Sequence, residues 1–185
     1  MKKIVLLGLL LVVAVQLSFA QASKVMAAYN YLEEYKLSKD GEDLVDAKEA
    51  IDAAASNETT AIQGKTWYYK GMIYQLLSKD ALLSKTDASY TATALASFEK
   101  SISLEDKKFR NQEDALNFMR AISADIFNSG VEKYQNADFE GAYKDFSSMK
   151  AINTSLEKNG VELVVDTERT ISNAASSAEQ AGMTK

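Results

Sequence analysis

The sequence predicts an all-α protein made of antiparallel helix hairpins, and three observations predict it. The chain has no proline and only eight glycines, so few residues would interrupt a helix. After the first 22 residues, apolar side chains recur three or four positions apart, which is the period of one helix face. Segments starting at Ala47, Ala94 and Ala142 each place a large apolar residue four positions after a small one. Because these starts are nearly evenly spaced, they indicate a repeated two-helix unit.

The N-terminus has the pattern of a signal peptide. Two lysines precede an apolar run over residues 4–15, and the small residues Ser18 and Ala20 suit cleavage after Ala20. The run is shorter than the roughly 20 residues that a helix needs to cross a bilayer, and no cysteine follows it to carry a lipid. We therefore expect residues 1–20 to be removed. The protein would be exported, to the periplasm or exterior of a Gram-negative cell, without a stable membrane anchor.

Composition argues against several classes of function. Removal of the first 20 residues changes the formal net charge from -5 to -7, because it removes two lysines and no acidic residue. An acidic surface repels nucleic-acid phosphates, so we expect no nucleic-acid partner. The chain also lacks cysteine and histidine, which excludes zinc fingers, thiol nucleophiles and Ser-His-Asp triads. We expect no catalytic residue, metal or cofactor, and hence no enzymatic activity.

Seven helices are expected after the signal peptide. Thr60 and Gln63 have the spacing of a capping box that opens the third helix. Asp138 is a favourable N-cap for the sixth helix, and Asn159-Gly160 is a favourable end for it. The predicted ranges, in chain order, are Ser23–Lys36, a segment from about residue 44 to 54, a helix from Thr60, Ser89–Leu104, Gln112–Asn136, Asp138–Lys158, and a helix from Asp166 towards the C-terminus.

Two of the predicted helix pairs carry a recognisable motif. Trp67-x3-Gly71-x2-Tyr74, followed by Ala94-x3-Phe98, resembles a tetratricopeptide repeat in most of its signature positions. The segment with Gly130, Tyr134, Ala142 and Phe146 is similar to a second copy, and residues 29–54 to a degenerate first one. The phrases at 47–52 and 65–71 also resemble those of secreted tetratricopeptide proteins of Gram-negative bacteria.

The resemblance implies a right-handed α-solenoid of stacked hairpins. Its repeats would cover about 23–56, 60–106 and 112–158, within a repeat region at 21–165, and a terminal helix would occupy 166–185. The spacing here is about 47 residues, whereas the family's repeat has about 34. In the second unit the excess lies at Lys79–Ser89, and the proline that usually closes each repeat is absent. The terminal helix is either a cap or the first half of a truncated repeat.

The resemblance also implies a non-enzymatic scaffold that binds a protein or peptide along the first helices of successive repeats. Only Lys65 matches the lysine and asparagine clamp with which some family members grip terminal carboxylates, so a chaperone tail is not the expected ligand. The alternative is a small-molecule or glycan binder, or an accessory subunit of an envelope enzyme complex, with a pocket under Lys79–Ser89. Carried over by position, the residues of the predicted partner-binding surface are Lys65, Tyr68, Met72, Gln75, Ala124, Phe127, Val131 and Tyr134.

Overall fold

The computed structural model describes residues 23–104, 106 and 111–183, and these residues confirm an all-α fold without β-strands. The predicted signal peptide at 1–20 lies outside the described residues. The chain forms two compact units, the first ending at Gln112 and the second beginning at Glu113. The helices are α1 (23–38), α2 (Gly41–Ala55), α3 (Gly64–Lys79), α4 (Tyr90–Ser103), α5 (Gln112–Gln135), α6 (Phe139–Lys158) and α7 (Thr167–Gln180), with a 3-10 helix at Leu83–Lys85.

Most of the predicted helix ends are confirmed. The Asp138 carboxylate accepts a hydrogen bond from the backbone N–H of Gly141 at 3.0 Å and so caps α6. Asn159 is the C-cap of α6, and Gly160 follows it with φ +73°. Asp166 caps α7 by accepting from the N–H of Arg169 at 2.7 Å. The sequence locates these ends well because a cap depends on residues close along the chain.

The predicted capping box at Thr60 and Gln63 is wrong. Helix α3 begins at Gly64, and its N-cap residue Gln63 makes no side-chain capping bond. The Thr60 side chain is buried, and its hydroxyl donates to the carbonyl of Ala54 at the end of α2. The Gln63 amide donates to the Thr59 carbonyl at 2.9 Å. The Thr60 side chain therefore bonds the end of α2, and the Gln63 side chain bonds the turn between α2 and α3.

In unit 1, helix α3 packs against both α2 and α4. The contact with α4 is close because Gly71 faces Phe98: a β-carbon at Gly71 would lie 2.6 Å from the ring. Phe98 and Ile73 are fully buried, and Ala94 one turn before Phe98 is fully buried as well. Ala94 and Phe98, the small and large residues that the sequence pattern places four positions apart, are therefore both part of the core of unit 1.

Unit 2 repeats this contact between α5 and α6. A β-carbon at Gly130 would lie 2.8 Å from the ring of Phe146, which is buried together with Ala142 one turn earlier. Helix α7 packs against α6 through small side chains. Its buried positions are Thr170, Ala174, Ser177 and Ala178. Because these residues are short, the α7 backbone can lie close to α6. Ala174 shares a buried cluster with Phe146 and Met149 of α6.

Candidate functional site

A groove of about 340 Å³ lies within unit 2, between α5 and α7 and above Phe146 of α6. We call it the α5–α7 groove. Four of its lining side chains are apolar or aromatic, and four are polar. They are Phe127, Val131, Tyr134, Gln135, Phe146, Arg169, Asn173 and Ser176.

The floor of the groove is aromatic and rests on the core of unit 2. The rings of Phe127 and Phe146 lie 5.9 Å apart between centroids in a tilted arrangement. The ring of Tyr134 stands edge-on to Phe139 at 5.2 Å. Phe127, Val131 and Tyr134 are only partly buried, although all three pack against the buried cluster that contains Phe146. These side chains are thus fixed by packing and still present apolar surface to the groove.

The polar wall comes from one face of α7. Arg169, Asn173 and Ser176 are four and three positions apart, so they follow one another along the helix axis. The Ser176 hydroxyl lies 3.4 Å from the hydroxyl of Tyr134 on α5, at hydrogen-bond distance across the groove. Arg169 is an exposed residue. The groove therefore offers both hydrogen-bonding groups and a positive charge beside its aromatic floor.

A buried asparagine holds α7 in position. Asn153 of α6 has no exposed surface, and its side-chain amide donates to the Val165 carbonyl at 2.9 Å. The same amide nitrogen lies 3.5 Å from the Thr170 hydroxyl of α7, and the Ser123 hydroxyl of α5 donates to the Asn153 carbonyl oxygen at 3.4 Å. One side chain thus joins three helices and the segment before α7. It fixes the wall that carries Arg169.

The residues of the predicted partner-binding surface have different surroundings in the two units. Phe127, Val131 and Tyr134 line the α5–α7 groove together. Ala124 is half-buried one turn before Phe127 on the same helix, and it is not among the lining residues.

The four predicted residues of α3 belong to unit 1. Tyr68 is 6 % exposed, with its ring edge-on to Phe98 at 6.2 Å, and Gln75 is 8 % exposed. Lys65 and Met72 are half-buried, and the Lys65 ammonium lies 5.5 Å above the ring of Tyr69. Tyr68 thus contributes mainly to the packing of unit 1.

The sequence pattern does not predict the α7 wall. Arg169, Asn173 and Ser176 have the spacing of one helix face, but nothing local shows which helix that face meets. Arg169 and Phe127 are brought to one groove only by the packing of α7 in unit 2.

Unit 1 contains a polar cluster centred on Asp52. Lys48 and Lys70 each approach its carboxylate at 2.9 Å, and the Tyr74 hydroxyl donates to it at 2.8 Å. Burial raises the pKa of Asp52, but hydrogen bonds from Lys70, Lys48 and Tyr74 outweigh burial and lower it below the ordinary value. Burial and the hydrogen bond to Asp52 raise the pKa of Tyr74 to about 12. The cluster joins α2 to α3, and each of its charges has a partner.

The Lys79–Ser89 segment forms a compact turn around the 3-10 helix. The Asp80 carboxylate accepts from the backbone N–H groups of Leu82 and Leu83 at 2.9 and 3.0 Å. These bonds lower the pKa of Asp80. The Thr86 hydroxyl lies 2.9 Å from that of Tyr90 at the start of α4. The side chains of Asp80 and Thr86 therefore bond the backbone of the segment itself.

The described residues contain no group of three or more Asp or Glu side chains arranged to hold a metal ion. None of the helices in this part of the chain is both long and apolar enough to cross a membrane. Comparisons of the chain with protein-family models, curated proteins and solved structures gave no match.

Proposed function

We propose that this protein is an exported, non-enzymatic binding protein of the tetratricopeptide kind, which holds a segment of a partner protein in the α5–α7 groove. One observation supports the proposal most directly. Phe127, Val131 and Tyr134, which the repeat pattern assigns to a binding surface, line one open groove that also has a polar wall. Ordered aromatic side chains beside a few polar groups are the composition of protein-binding sites.

The two glycine–aromatic contacts support the repeat character of the chain. Gly71 meets Phe98 in unit 1, and Gly130 meets Phe146 in unit 2. Both glycines belong to the first helix of a pair, and both aromatic residues to the second, with a buried alanine one turn before each. Stacked hairpins need such a close approach between paired helices. A right-handed solenoid is the corresponding arrangement in the family that the sequence resembles.

The binding proposal can be tested by site-specific photocrosslinking in the organism that makes the protein. A photoreactive phenylalanine derivative would replace Val131 in the groove. The matched control replaces Val164, which is 42 % exposed in the same unit and does not line the groove. We expect a discrete adduct with another protein at position 131 and none at 164. Equal adducts at both positions, or none at either, would refute the proposal.

Export requires a separate measurement. Mass spectrometry of the protein isolated from the cell envelope and medium should show an N-terminus at Gln21, as cleavage after Ala20 requires. A chain that stays in the cytoplasm with its first 20 residues intact would contradict this part of the proposal, whatever the groove binds.

A further inference from the structure

We infer that the α5–α7 groove selects a protein segment that carries an acidic side chain next to a large apolar one, and that Arg169 recognises the carboxylate. This inference rests on the proposed function, and it specifies the chemistry of the bound segment. Three features of the groove support it: the charge of its wall, the source of its polar groups and its size.

The charge of the groove indicates that the bound segment carries an acidic side chain. Arg169 is the one charged residue among the eight that line the groove. Across the described residues, its guanidinium takes part in no ion pair or side-chain hydrogen bond. Lys133 of α5 is by contrast paired with Asp145 at 2.8 Å, and Arg120 donates to the carbonyl of Glu162 at 3.0 Å. Arg169 is therefore available for a carboxylate, which a guanidinium binds through two parallel hydrogen bonds.

The lining residues indicate an acidic side chain rather than the free C-terminus of a peptide. Capture of a terminal carboxylate commonly uses a nest of free backbone N–H groups. Every lining residue lies within a helix, where most N–H groups are already bonded. At the start of α7, the N–H of Arg169 itself is bonded to Asp166 at 2.7 Å. The groove thus offers a side-chain cation and few free backbone N–H groups.

Size and the aromatic floor define the apolar part of the segment. A volume of about 340 Å³ is at the lower end of the roughly 300–1,000 Å³ found for ligand sites. This space suits one large side chain with its immediate neighbours. Phe127, Val131 and Tyr134 provide apolar surface for that side chain, and Arg169 lines the same groove. The acidic residue must therefore be adjacent or nearly adjacent to the apolar one.

The charge of Arg169 can be reversed without disturbing the start of α7. It is the third residue of α7 after the N-cap Asp166, and glutamate at that position favours a helix start. The variant Arg169→Glu should therefore fold. The matched control is Lys150→Glu, which changes the charge of unit 2 by the same amount at an exposed position of α6 outside the groove.

The experiment is selection of random peptides displayed on phage, with the protein expressed from its full sequence as bait. The peptides are fused at their C-termini, so terminal carboxylates cannot contribute. We expect the wild type and Lys150→Glu to enrich aromatic or leucine residues flanked by Asp or Glu. Arg169→Glu should retain the apolar preference and enrich Lys or Arg beside it. A synthetic peptide from the wild-type selection should bind Arg169→Glu at least about fivefold more weakly, and salt should weaken its binding to the wild type.

The possible failures are distinguishable. If peptides bind in the groove but Arg169→Glu enriches the same acidic neighbours as the wild type, the inference is wrong and the proposed function stands. The variant Val131→Lys tests whether the peptides bind in the groove. It places a charge on the apolar floor and should abolish the enrichment of peptides. If Val131→Lys selects the same peptides as the wild type, or no bait enriches any peptide, both the inference and the proposed function fail.

Discussion

Gly71 of α3 lies against the aromatic ring of Phe98 in α4, so closely that a β-carbon on the glycine would come within 2.6 Å of two ring carbons. Both residues are buried, and Phe98 has no exposed surface. The ring cannot withdraw without leaving a cavity, because protein cores are close-packed. This contact sets the distance between α3 and α4 in unit 1.

The variant Gly71→Ala should destabilise unit 1. Overpacking costs about 1–3 kcal/mol, and the gain in helix propensity returns at most about 1 kcal/mol, so we expect a net loss of up to about 2 kcal/mol in urea unfolding. Gly41→Ala is the control, because a β-carbon there would meet Leu83 at an ordinary 3.6 Å. Replacing the ring with a smaller side chain, as in Phe98→Leu, should lower the free energy of unfolding less in the Gly71→Ala variant than in the wild type. Additive effects would contradict this account of the contact.

The variant Ala137→Gly should stabilise unit 2. Ala137 follows the end of α5 with φ +62°, and the N–H of Asp138 donates to the Lys133 carbonyl at 2.9 Å. This is a helix end that favours glycine. We expect a gain of about 0.5–1 kcal/mol, since relief of strain exceeds the added freedom of the unfolded chain. Ala181→Gly, at φ -75°, should show no gain in the same thermal or urea measurement.

Loss of the Asn153 side chain should loosen α7. Asn153→Ala removes the donor to the Val165 carbonyl and both weaker contacts to Ser123 and Thr170. A buried polar group left without its partner costs about 1–3 kcal/mol. Hydrogen exchange should therefore accelerate in α7 more than in α6. The control Asn128→Ala, at an exposed position of α5, should leave the exchange rates of both helices unchanged. Unaltered exchange in α7 of Asn153→Ala would show that Asn153 does not hold this helix in position.

Unit 1 should lose stability in acid through Asp52. Because the folded state lowers the pKa of Asp52, its contribution is present above the unfolded pKa of about 3.9. This contribution is lost as the pH falls through the folded pKa. Asp52→Asn should cost about 1 kcal/mol at pH 7, given that exposed ion pairs contribute about 0.2–1 kcal/mol each. The difference from wild type should shrink below about pH 4. The control Asp46→Asn, at an exposed site of α2, should have little effect at pH 7.

Tyr74 should titrate far above an ordinary tyrosine. Its pKa is raised from 10.0 to about 12 by burial and by the hydrogen bond to Asp52. The neutral phenol is therefore favoured in the folded state, and its contribution to stability is present below about pH 10 and lost between pH 10 and 12. Ultraviolet absorbance of phenolate, compared between wild type and Tyr74→Phe, measures this directly. An absorbance difference centred near pH 10 would contradict the predicted shift.

The sequence determined the helices and most of their ends. Periodic apolar residues, the caps at Asp138 and Asp166, and the stop at Gly160 act over one or two turns, so local chemistry suffices for them. Gly71 and Gly130 stand at glycine positions of the repeat motif, and the structure shows the aromatic ring that each of them meets.

Tertiary structure alone decided where side chains from distant positions meet. Tyr68 follows the same helical spacing as residues of the predicted binding surface, yet it packs on Phe98 because α4 lies beside it. Arg169 joins Phe127 and Tyr134 in one groove because Asn153 and the small side chains of α7 hold that helix in unit 2. Periodicity shows that a helix has a buried face, but the helix that covers this face is chosen by packing across the whole unit.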